Sequence, residues 1–360
     1  MKPIAVGSPA DWSVAELQAD TGWIINLDER AQRDLIGAVR KAHQPDKDFL
    51  DYTRHDFDFG YGMVPLRTAF AQATEGRGIA LLRGLPREGV SEQEFALMTW
   101  AIGLHVGVAR PQGKATQYQS AVRNVGTVYR SSTGRGYSSN AELDFHTDGS
   151  DMVALTCYNK ARAGGMSMVS SSLRAHNEIA RNRPDIAEIL DQPFYFSRQA
   201  EEAPDEAAFY PNPVFDMQDG VFCSKWNRNR INSAQKIAGV QQLTPRQREA
   251  MDVMDDTLRR PDLMYEMFLQ PGDMQILSNH TMLHSRTEFE DFEIEEQKRV
   301  LFRLWLTPAD APRLPESWQP FFRSVAARTV RAGIRGHNHD ARCRAFEARQ
   351  AADHGMAVGV

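Results

Sequence analysis

The chain has 360 residues, of which 42% are hydrophobic and 25% charged, as in an ordinary soluble protein with a sizeable core. Its formal net charge of −5 has no long block of one sign, which argues against a nucleic-acid partner or an anionic membrane surface. No signal-peptide core and no run of about 18 apolar residues occurs, and three scattered cysteines exclude a disulfide framework. We therefore expect a cytoplasmic protein without a membrane span.

The first third of the chain predicts helices around one strand. Apolar residues at helical spacing predict a helix over Glu29–His43 within an N-terminal helical region, residues 1–76. The apolar run Ile79–Leu82 predicts a strand. Ser91 and Glu94 form a capping-box pattern that begins a helix running toward Gly103.

Short strands dominate the middle of the chain. Apolar and β-branched runs predict strands at Met152–Tyr158, Met166–Ser170, Val221–Ser224, Tyr265–Leu269, Met274–Leu277 and Val300–Leu306. Helices are predicted at Ser172–Arg181, at Pro184–Leu190, and from the capping box at Thr244 to Arg260. Many short strands with little strand–helix alternation favour an antiparallel sandwich or barrel with helices outside. The Arg- and Ala-rich residues after Pro312 predict a helical C-terminal extension.

A first group of candidate metal ligands lies in LDFHTDGSD, residues 143–151. His146 and Asp148 are two residues apart, so on an extended strand both side chains point to one face and can reach one ion. This pair alone is weak, because a chain with 10 histidines and 47 acidic residues contains such a pair by chance.

A second group follows the turn Pro271–Asp273 and a short strand. It contains His280 and His284, and then Arg299 and Arg303 in an apolar run where an unpaired guanidinium would be costly. Two imidazoles and one carboxylate with open positions suit non-haem Fe(II) and oxygen chemistry. A buried arginine fits a carboxylate partner in two hydrogen bonds.

These segments together resemble the TauD/TfdA family of Fe(II)/2-oxoglutarate-dependent dioxygenases, in the clavaminate-synthase-like superfamily. The resemblance covers about residues 77–308 and is carried by RGIALLRGLP at 77–86, FHTDGSD, the GG-x-S pattern ending at Ser167, and the distal histidine–arginine segment. It implies a single domain over residues 1–360, mainly β with flanking helices (α+β). Its core would be a double-stranded β-helix, or jelly roll, with a long insertion between the ligand-bearing strands.

The resemblance also implies the roles of individual residues. His146, Asp148 and His284 would hold Fe(II), and Arg299 and Ser167 would bind the co-substrate 2-oxoglutarate. His280 competes with His284 as the distal ligand, and Asn279 favours His284. Candidates for contacts to the substrate, or for support of the ligands, are Arg303, Asn279, Arg228 and Tyr137. Arg303 would face the substrate or brace Arg299.

The implied reaction uses O2 to hydroxylate a C–H bond of a small carboxylate- or amino-acid-like molecule, releasing succinate and CO2. Desaturation, cyclisation or oxidative decarboxylation with the same cofactors stays open, as does a non-catalytic metal-binding jelly roll. Arg110 and Arg123 are further candidates near an anionic group of the substrate. The stretch from Tyr129–Ser132 through Gly136–Asn140 is favoured as a lid over the substrate. Homo-oligomers are common among such enzymes.

Overall fold

The computed structural model describes residues 7–127 and 136–359. The helices in these residues are α1 Val14–Ala19, α2 Glu29–Ala42, α3 Met63–Thr74, α4 Glu92–Val106, α5 Ser172–Asn182, α6 Pro184–Leu190, α7 Arg228–Ala234, α8 Pro245–Leu258, α9 Gln319–Phe322 and α10 Ala341–Asp353. The strands up to the end of the insertion are β1 Ile24–Asn26, β2 Ile79–Arg83, β3 Gly107–Ala109, β4 Gln119–Val122, β5 Met152–Asn159, β6 Ala163–Gly164, β7 Ser167–Ser171, β8 Pro193–Ser197, β9 Phe209–Pro213, β10 Phe215–Gln218 and β11 Val221–Ser224. The later strands are β12 Met264–Met267, β13 Met274–Ser278, β14 Met282–Arg286, β15 Phe289–Glu290, β16 Val300–Pro308, β17 Thr329–Val330 and β18 Ala357–Val358.

Two sheets form the core. The major sheet has the order β1-β2-β13-β5-β16-β3, with β4 also paired to β16, and the minor sheet has the order β12-β7-β14. The pairings are antiparallel except for the parallel pair β1–β2. This architecture confirms the predicted jelly-roll class with flanking helices.

Alternation along the central strands divides the apolar side chains between two cores. On β5, Val153 and Cys157 belong to the same buried core as Val169 of the minor sheet, so one core lies between the sheets. The intervening residues, such as Ala154, pack in the other core with residues of α2, α3 and α4. This period of two is expected for strands buried on both faces. The helices α2–α4 therefore cover the back of the major sheet, and its other face is turned toward the minor sheet.

The insertion and the termini place further elements around this core. The insertion lies between β7 and β12. It contains the predicted helices α5, α6 and α8 and the predicted strand β11, together with α7 and the strands β8, β9 and β10, which the sequence analysis did not identify. The N-terminal region is not purely helical, because β1 adds an edge strand to the major sheet. The C-terminal extension is helical only in part: α9 and α10 are joined by a largely irregular segment with buried Val325 and Ile334, and Leu314 is buried before α9. Buried apolar residues are interspersed among the Arg and Ala residues of this segment. The Arg and Ala content alone, which had suggested a helical extension, therefore did not predict its structure.

Within residues 7–127 and 136–359, every helix is too short or too polar to cross a lipid bilayer.

Candidate metal centre

Backbone pairing brings the two ends of the insertion together at the candidate ligands. His146 and His284 exchange backbone hydrogen bonds of 3.0 and 3.1 Å, with His284 on β14. The two imidazole rings lie 4.4 Å apart between centroids. Asp148 follows on the same extended segment and is buried. The i and i+2 spacing of His146 and Asp148 thus delivers both side chains to His284, as the sequence predicts.

The distances between the three side chains suit a shared ion better than direct hydrogen bonds. His146 Nε2 lies 3.9 Å from Asp148 Oδ1, and His284 Nε2 lies 3.7 Å from Asp148 Oδ2. Both separations exceed hydrogen-bond length. Asp148 Oδ2 is buried and accepts no hydrogen bond from the described residues. A buried carboxylate oxygen without a donor is costly, and a cation among the three side chains would satisfy it.

The protonation states of two of these groups suit metal binding. Burial, with the neighbouring His146, lowers the pKa of His284 to about 3, so its imidazole is neutral at physiological pH. Burial opposes ionisation of Asp148, but Arg303, His284 and His146 hold the pKa of this carboxyl below its ordinary value. A neutral imidazole and an ionised carboxylate are the states that ligate a divalent ion. The donor set therefore fits Fe(II), with coordination positions left for other ligands.

Neighbouring polar groups orient the ligands. His146 Nδ1 lies 2.9 Å from the carbonyl of Asp144, so an N–H there leaves Nε2 as a lone-pair donor. Asn279 Oδ1 accepts a 3.0 Å hydrogen bond from the backbone N–H of Asp148, and its amide donates to Ser150. Asn279 thus supports a ligand rather than the substrate.

Removing this support should weaken metal binding while leaving all three ligands in place. We expect Asn279→Ala to raise the Kd for Mn(II) by about 10- to 100-fold, as for other groups that orient metal ligands. Titration of Mn(II) into the metal-free protein measures this change. Asn182→Ala, at the exposed end of α5, is the control and should leave the Kd unchanged. An Asn279→Ala protein with wild-type affinity would remove Asn279 from the metal centre.

His280 does not compete with His284. Its Nε2 lies 2.9 Å from Asp151 Oδ1, and Arg331 donates to the same carboxylate from the C-terminal segment. The two histidines are four residues apart across the turn into β14, and they point to different carboxylates. His280 therefore belongs to a buried ion-pair cluster behind the metal centre.

Arg299 lies at the cavity wall without an anionic partner among the described residues. Its side chain is buried, Nη1 has no hydrogen-bond acceptor there, and the guanidinium lies over the Phe289 ring, with Cζ 4.9 Å from the ring centroid. Burial lowers the pKa of this guanidinium to about 10, which leaves it charged at neutral pH. A buried, unpaired guanidinium that lines a cavity is prepared for a carboxylate.

The GG-x-S pattern makes room for Arg299 and adds a hydroxyl beside it. Gly165 has φ +73°, and a Cβ there would lie 3.3 Å from Arg299 Nε, so only glycine fits without strain. Ser167, which also lines the cavity, exchanges hydrogen bonds of 3.0 to 3.1 Å with the Gln275 amide. When Ser167 Oγ accepts from that amide, its own proton is left to donate to a ligand.

Arg303 braces a metal ligand instead of Arg299. Its guanidinium donates to Gln112 at 2.8 Å and to Asp148 Oδ1 at 3.4 Å. Tyr137 covers it, with the ring centroid 5.1 Å from Cζ, and lines the cavity as well. The predicted positions of Arg303 and Tyr137 at the site agree with this geometry, but the expected contact with Arg299 is replaced by one with Asp148.

Arg228, named as a candidate for substrate contact, lies away from the cavity. Arg228 donates to Asp252 and Asp255 of α8 and does not line the cavity. The outward position follows from α7, where residues two apart point to opposite sides of the helix. Arg230 therefore lines the cavity in its place.

Two further arginines also lie away from the site. Arg110 pairs with buried Glu347, and Arg123 pairs with Glu92. Neither lines the cavity.

Sequence reasoning missed other cavity residues, above all Lys225, which lies in the KWNRNRIN segment three residues before Arg228. A helix prediction starting at Asn227, which caps α7, would have separated the inward from the outward side chains. Part of the proposed lid, Tyr129–Ser132, lies outside the described residues. Gly136 and Tyr137, at its other end, line the cavity.

Comparison with known proteins identifies the family of this chain. The family model described as "Taurine catabolism dioxygenase TauD, TfdA family" matches residues 49–305. FR-33289 synthase of Streptomyces rubellomurinus is 27% identical over 310 residues, which is 85% of this chain and 91% of that protein.

Solved structures show the same fold. Asparagine oxygenase, in complex with Fe(II), 3-hydroxyasparagine and succinate, superposes with a TM-score of 0.60 at 18% identity, covering 79% of this chain and 93% of that one. The non-heme iron oxygenase OrfP, in complex with Fe, succinate and (3S)-hydroxy-L-Arg, gives a TM-score of 0.59 at 14% identity, covering 84% and 99%. With the family model matched over most of its length, this chain belongs to the TauD/TfdA family of Fe(II)- and 2-oxoglutarate-dependent dioxygenases.

Proposed function

We propose that this protein hydroxylates a C–H bond of a small amino-acid-like or carboxylate-bearing molecule. His146, Asp148 and His284 would hold Fe(II), and Arg299 and Ser167 would bind the distal carboxylate of 2-oxoglutarate. The observation that carries the proposal is the convergence of these three ligands in one cavity with the buried, unpaired guanidinium of Arg299. A metal ion that served only to stabilise the fold would not need this guanidinium beside it.

The reaction converts substrate, O2 and 2-oxoglutarate into hydroxylated substrate, succinate and CO2. Bound Fe(II) supplies O2 activation, which is coupled to oxidative decarboxylation of the co-substrate. The protein's own groups bind and orient. Arg299 fixes one end of 2-oxoglutarate, and Arg303 holds Asp148 in its ionised, ligating position. Apolar walls that include Phe196 and Leu301 limit access of water to the reacting groups.

The substrate class is supported by relatives and by the cavity. Asparagine oxygenase and OrfP are crystallised with hydroxylated amino acids. The cavity of this chain has amide and cationic side chains, among them Asn229 and Arg230, that can bind the polar ends of such a molecule. We place the activity in the cytoplasm because the three cysteines are free thiols, as expected in a reducing compartment.

The experiment that tests this function is a screen of amino acids and other small carboxylates for succinate release with Fe(II) and 2-oxoglutarate. We expect one class of compound to stimulate succinate formation and to gain the mass of one oxygen atom. Loss of two hydrogens, or of CO2, from the substrate would favour desaturation, cyclisation or decarboxylation instead. Metal binding without succinate from any compound would favour the non-catalytic jelly roll.

Arg299 should control the affinity for the co-substrate. We expect Arg299→Gln to raise the KM for 2-oxoglutarate by about 10- to 100-fold, because a charge-assisted hydrogen bond contributes about 1.5–3 kcal/mol. Arg299→Lys keeps the charge but loses the two-pronged geometry of the guanidinium. Its KM for 2-oxoglutarate should therefore lie between those of the wild type and Arg299→Gln. Steady-state kinetics of succinate release with either variant measures the change. An unchanged KM in Arg299→Gln would place the distal carboxylate elsewhere.

A further inference from the structure

Two cations of the insertion line the cavity, and neither has yet been assigned to a particular chemical group of the substrate. Lys225 directly follows β11, and Arg230 lies in the first turn of α7. Lys225 is 5% exposed, and within the described residues its ammonium makes no hydrogen bond and no ion pair. The ammonium lies over the Phe321 ring, whose centroid is 4.0 Å from Nζ. A buried ammonium against an aromatic face keeps only part of its solvation energy.

Arg230 is also incompletely compensated. It donates to the carbonyl of Ser197 at 2.9 Å, and its contact with the Glu201 carboxylate is long, at 3.5 Å. Burial lowers the pKa of its guanidinium. Some of its guanidinium N–H groups can therefore still donate to a ligand in the cavity.

The surroundings of Lys225 are mostly cationic and aromatic. The groups facing it are Arg198 and Arg230, the rings of Tyr210, Phe321 and Phe322, and, across the cavity, the carboxylate of Asp148. Burial, followed by the charges of Arg230 and Arg198, lowers the pKa of Lys225 to about 7. An iron ion bound to Asp148 would use the charge of that carboxylate. In the metal-loaded enzyme Lys225 would then have no carboxylate within ion-pair distance among the described residues, and Arg230 would keep only its long contact with Glu201.

Lys225 and Arg299 occupy different parts of the cavity wall. Arg299 has Gly165 and Phe289 as neighbours, whereas Lys225 has Tyr210 and Phe321. A second anion can therefore bind at Lys225 while 2-oxoglutarate occupies Arg299.

We propose that Lys225 and Arg230 form a binding subsite for an oxyanion of the substrate, such as a carboxylate, sulfonate or phosphonate. The inference rests on the proposed function and names the part of the substrate that this wall recognises. The ammonium supplies three donors and the guanidinium part of its fork, and Asn229 beside them adds an amide. An oxyanion bound there would supply a counter-charge to the two buried cations and so offset the cost of their burial. The substrate is held by this group, with the rest of the molecule directed into the cavity.

Binding of simple anions tests this subsite. Isothermal titration calorimetry would measure sulfate and acetate binding at pH 6 to the protein loaded with Mn(II) and 2-oxoglutarate. We expect Lys225→Met and Arg230→Gln each to raise the Kd of the tighter probe by about 10-fold or more, corresponding to one lost charge-assisted contact. Arg228→Met is the matched control, since it removes an arginine of the same helix that faces outward, and it should change the Kd by less than about twofold. The tighter probe then indicates whether the subsite prefers a tetrahedral oxyanion or a carboxylate.

The same variants distinguish this subsite from the 2-oxoglutarate site at Arg299. Lys225→Met should keep the wild-type Kd for 2-oxoglutarate and should not be less stable, since it replaces an unpaired buried ammonium by an apolar chain. As pH rises from 6 to 8, anion affinity should fall in the wild type, because binding must then protonate Lys225, and it should fall less in Lys225→Met. Failure of both probes to bind the wild type, or an unchanged Kd in Lys225→Met, would overturn the subsite. Loss of 2-oxoglutarate affinity in Lys225→Met would instead contradict the proposed role of Arg299.

Discussion

Replacing His284 with alanine should reduce succinate release by a factor on the order of 10³ or more, since the side chains of a catalytic centre act as a unit. The imidazole is buried, neutral and 3.7 Å from the carboxylate oxygen of Asp148 that has no other partner. Removing it leaves one imidazole and one carboxylate, which hold Fe(II) weakly. The measurement combines the metal content of the purified protein with succinate release at saturating Fe(II).

His280→Gln is the matched control for that variant. A glutamine amide at this position can donate to Asp151 in place of the imidazole Nε2. We expect this protein to keep its metal and most of its activity, although it contains one histidine fewer, like His284→Ala. Activity in His284→Ala together with inactivity in His280→Gln would reverse the assignment of the distal ligand.

Arg331→Met should lower the free energy of unfolding by about 3–5 kcal/mol, the cost of leaving a buried charge without its partner. Arg331 is fully buried and donates to both carboxylate oxygens of Asp151, with Nη2 2.6 Å from Oδ1. Burial would raise the pKa of Asp151, but Arg331 and His280 hold it well below its usual range. Without Arg331, the ionised Asp151 would keep only His280.

Thermal and denaturant unfolding of the variant measure this loss. The control is Arg313→Met, which removes an exposed arginine paired with Glu316 and should change stability by less than about 0.5 kcal/mol. Because Asp151 is three residues from Asp148, and Gly333 donates to the carbonyl of Gly149, Arg331→Met should also weaken metal binding. A variant as stable as Arg313→Met would show that the C-terminal segment does not support the site.

The metal ligands could be predicted because the family resemblance implied all three, and local spacing agrees with two of them. His146 and Asp148 share a strand face through their two-residue separation, and the GG-x-S pattern provides the space that Arg299 needs. Local spacing did not distinguish His280 from His284, since both follow β13, and their different carboxylate partners in the structure do. The resemblance favoured His284, and the backbone pairing of His146 with His284 agrees with it.

Long-range partners were not predictable in the same way. Asp151 and Arg331 are 180 residues apart in the sequence, and nothing near Arg331 indicates an acidic partner. The sequence does not distinguish Arg228 from Arg230. Their different positions follow from α7, which points the two side chains to opposite sides of the helix. The C-terminal extension was read from its Arg and Ala content as helical, whereas its buried apolar residues pack an irregular segment against the cavity, with Phe321 and Ile334 in its wall. The homo-oligomer implied by the resemblance stays a prediction.

The most direct test of the central claim is a crystal structure of the protein with Mn(II) and 2-oxoglutarate. We predict one metal ion bound by Nε2 of His146, Nε2 of His284 and a carboxylate oxygen of Asp148, with the distal carboxylate of 2-oxoglutarate on Arg299 and Ser167. A metal ion bound elsewhere, or 2-oxoglutarate with its distal carboxylate on Lys225 and Arg230 instead of Arg299, would contradict the account.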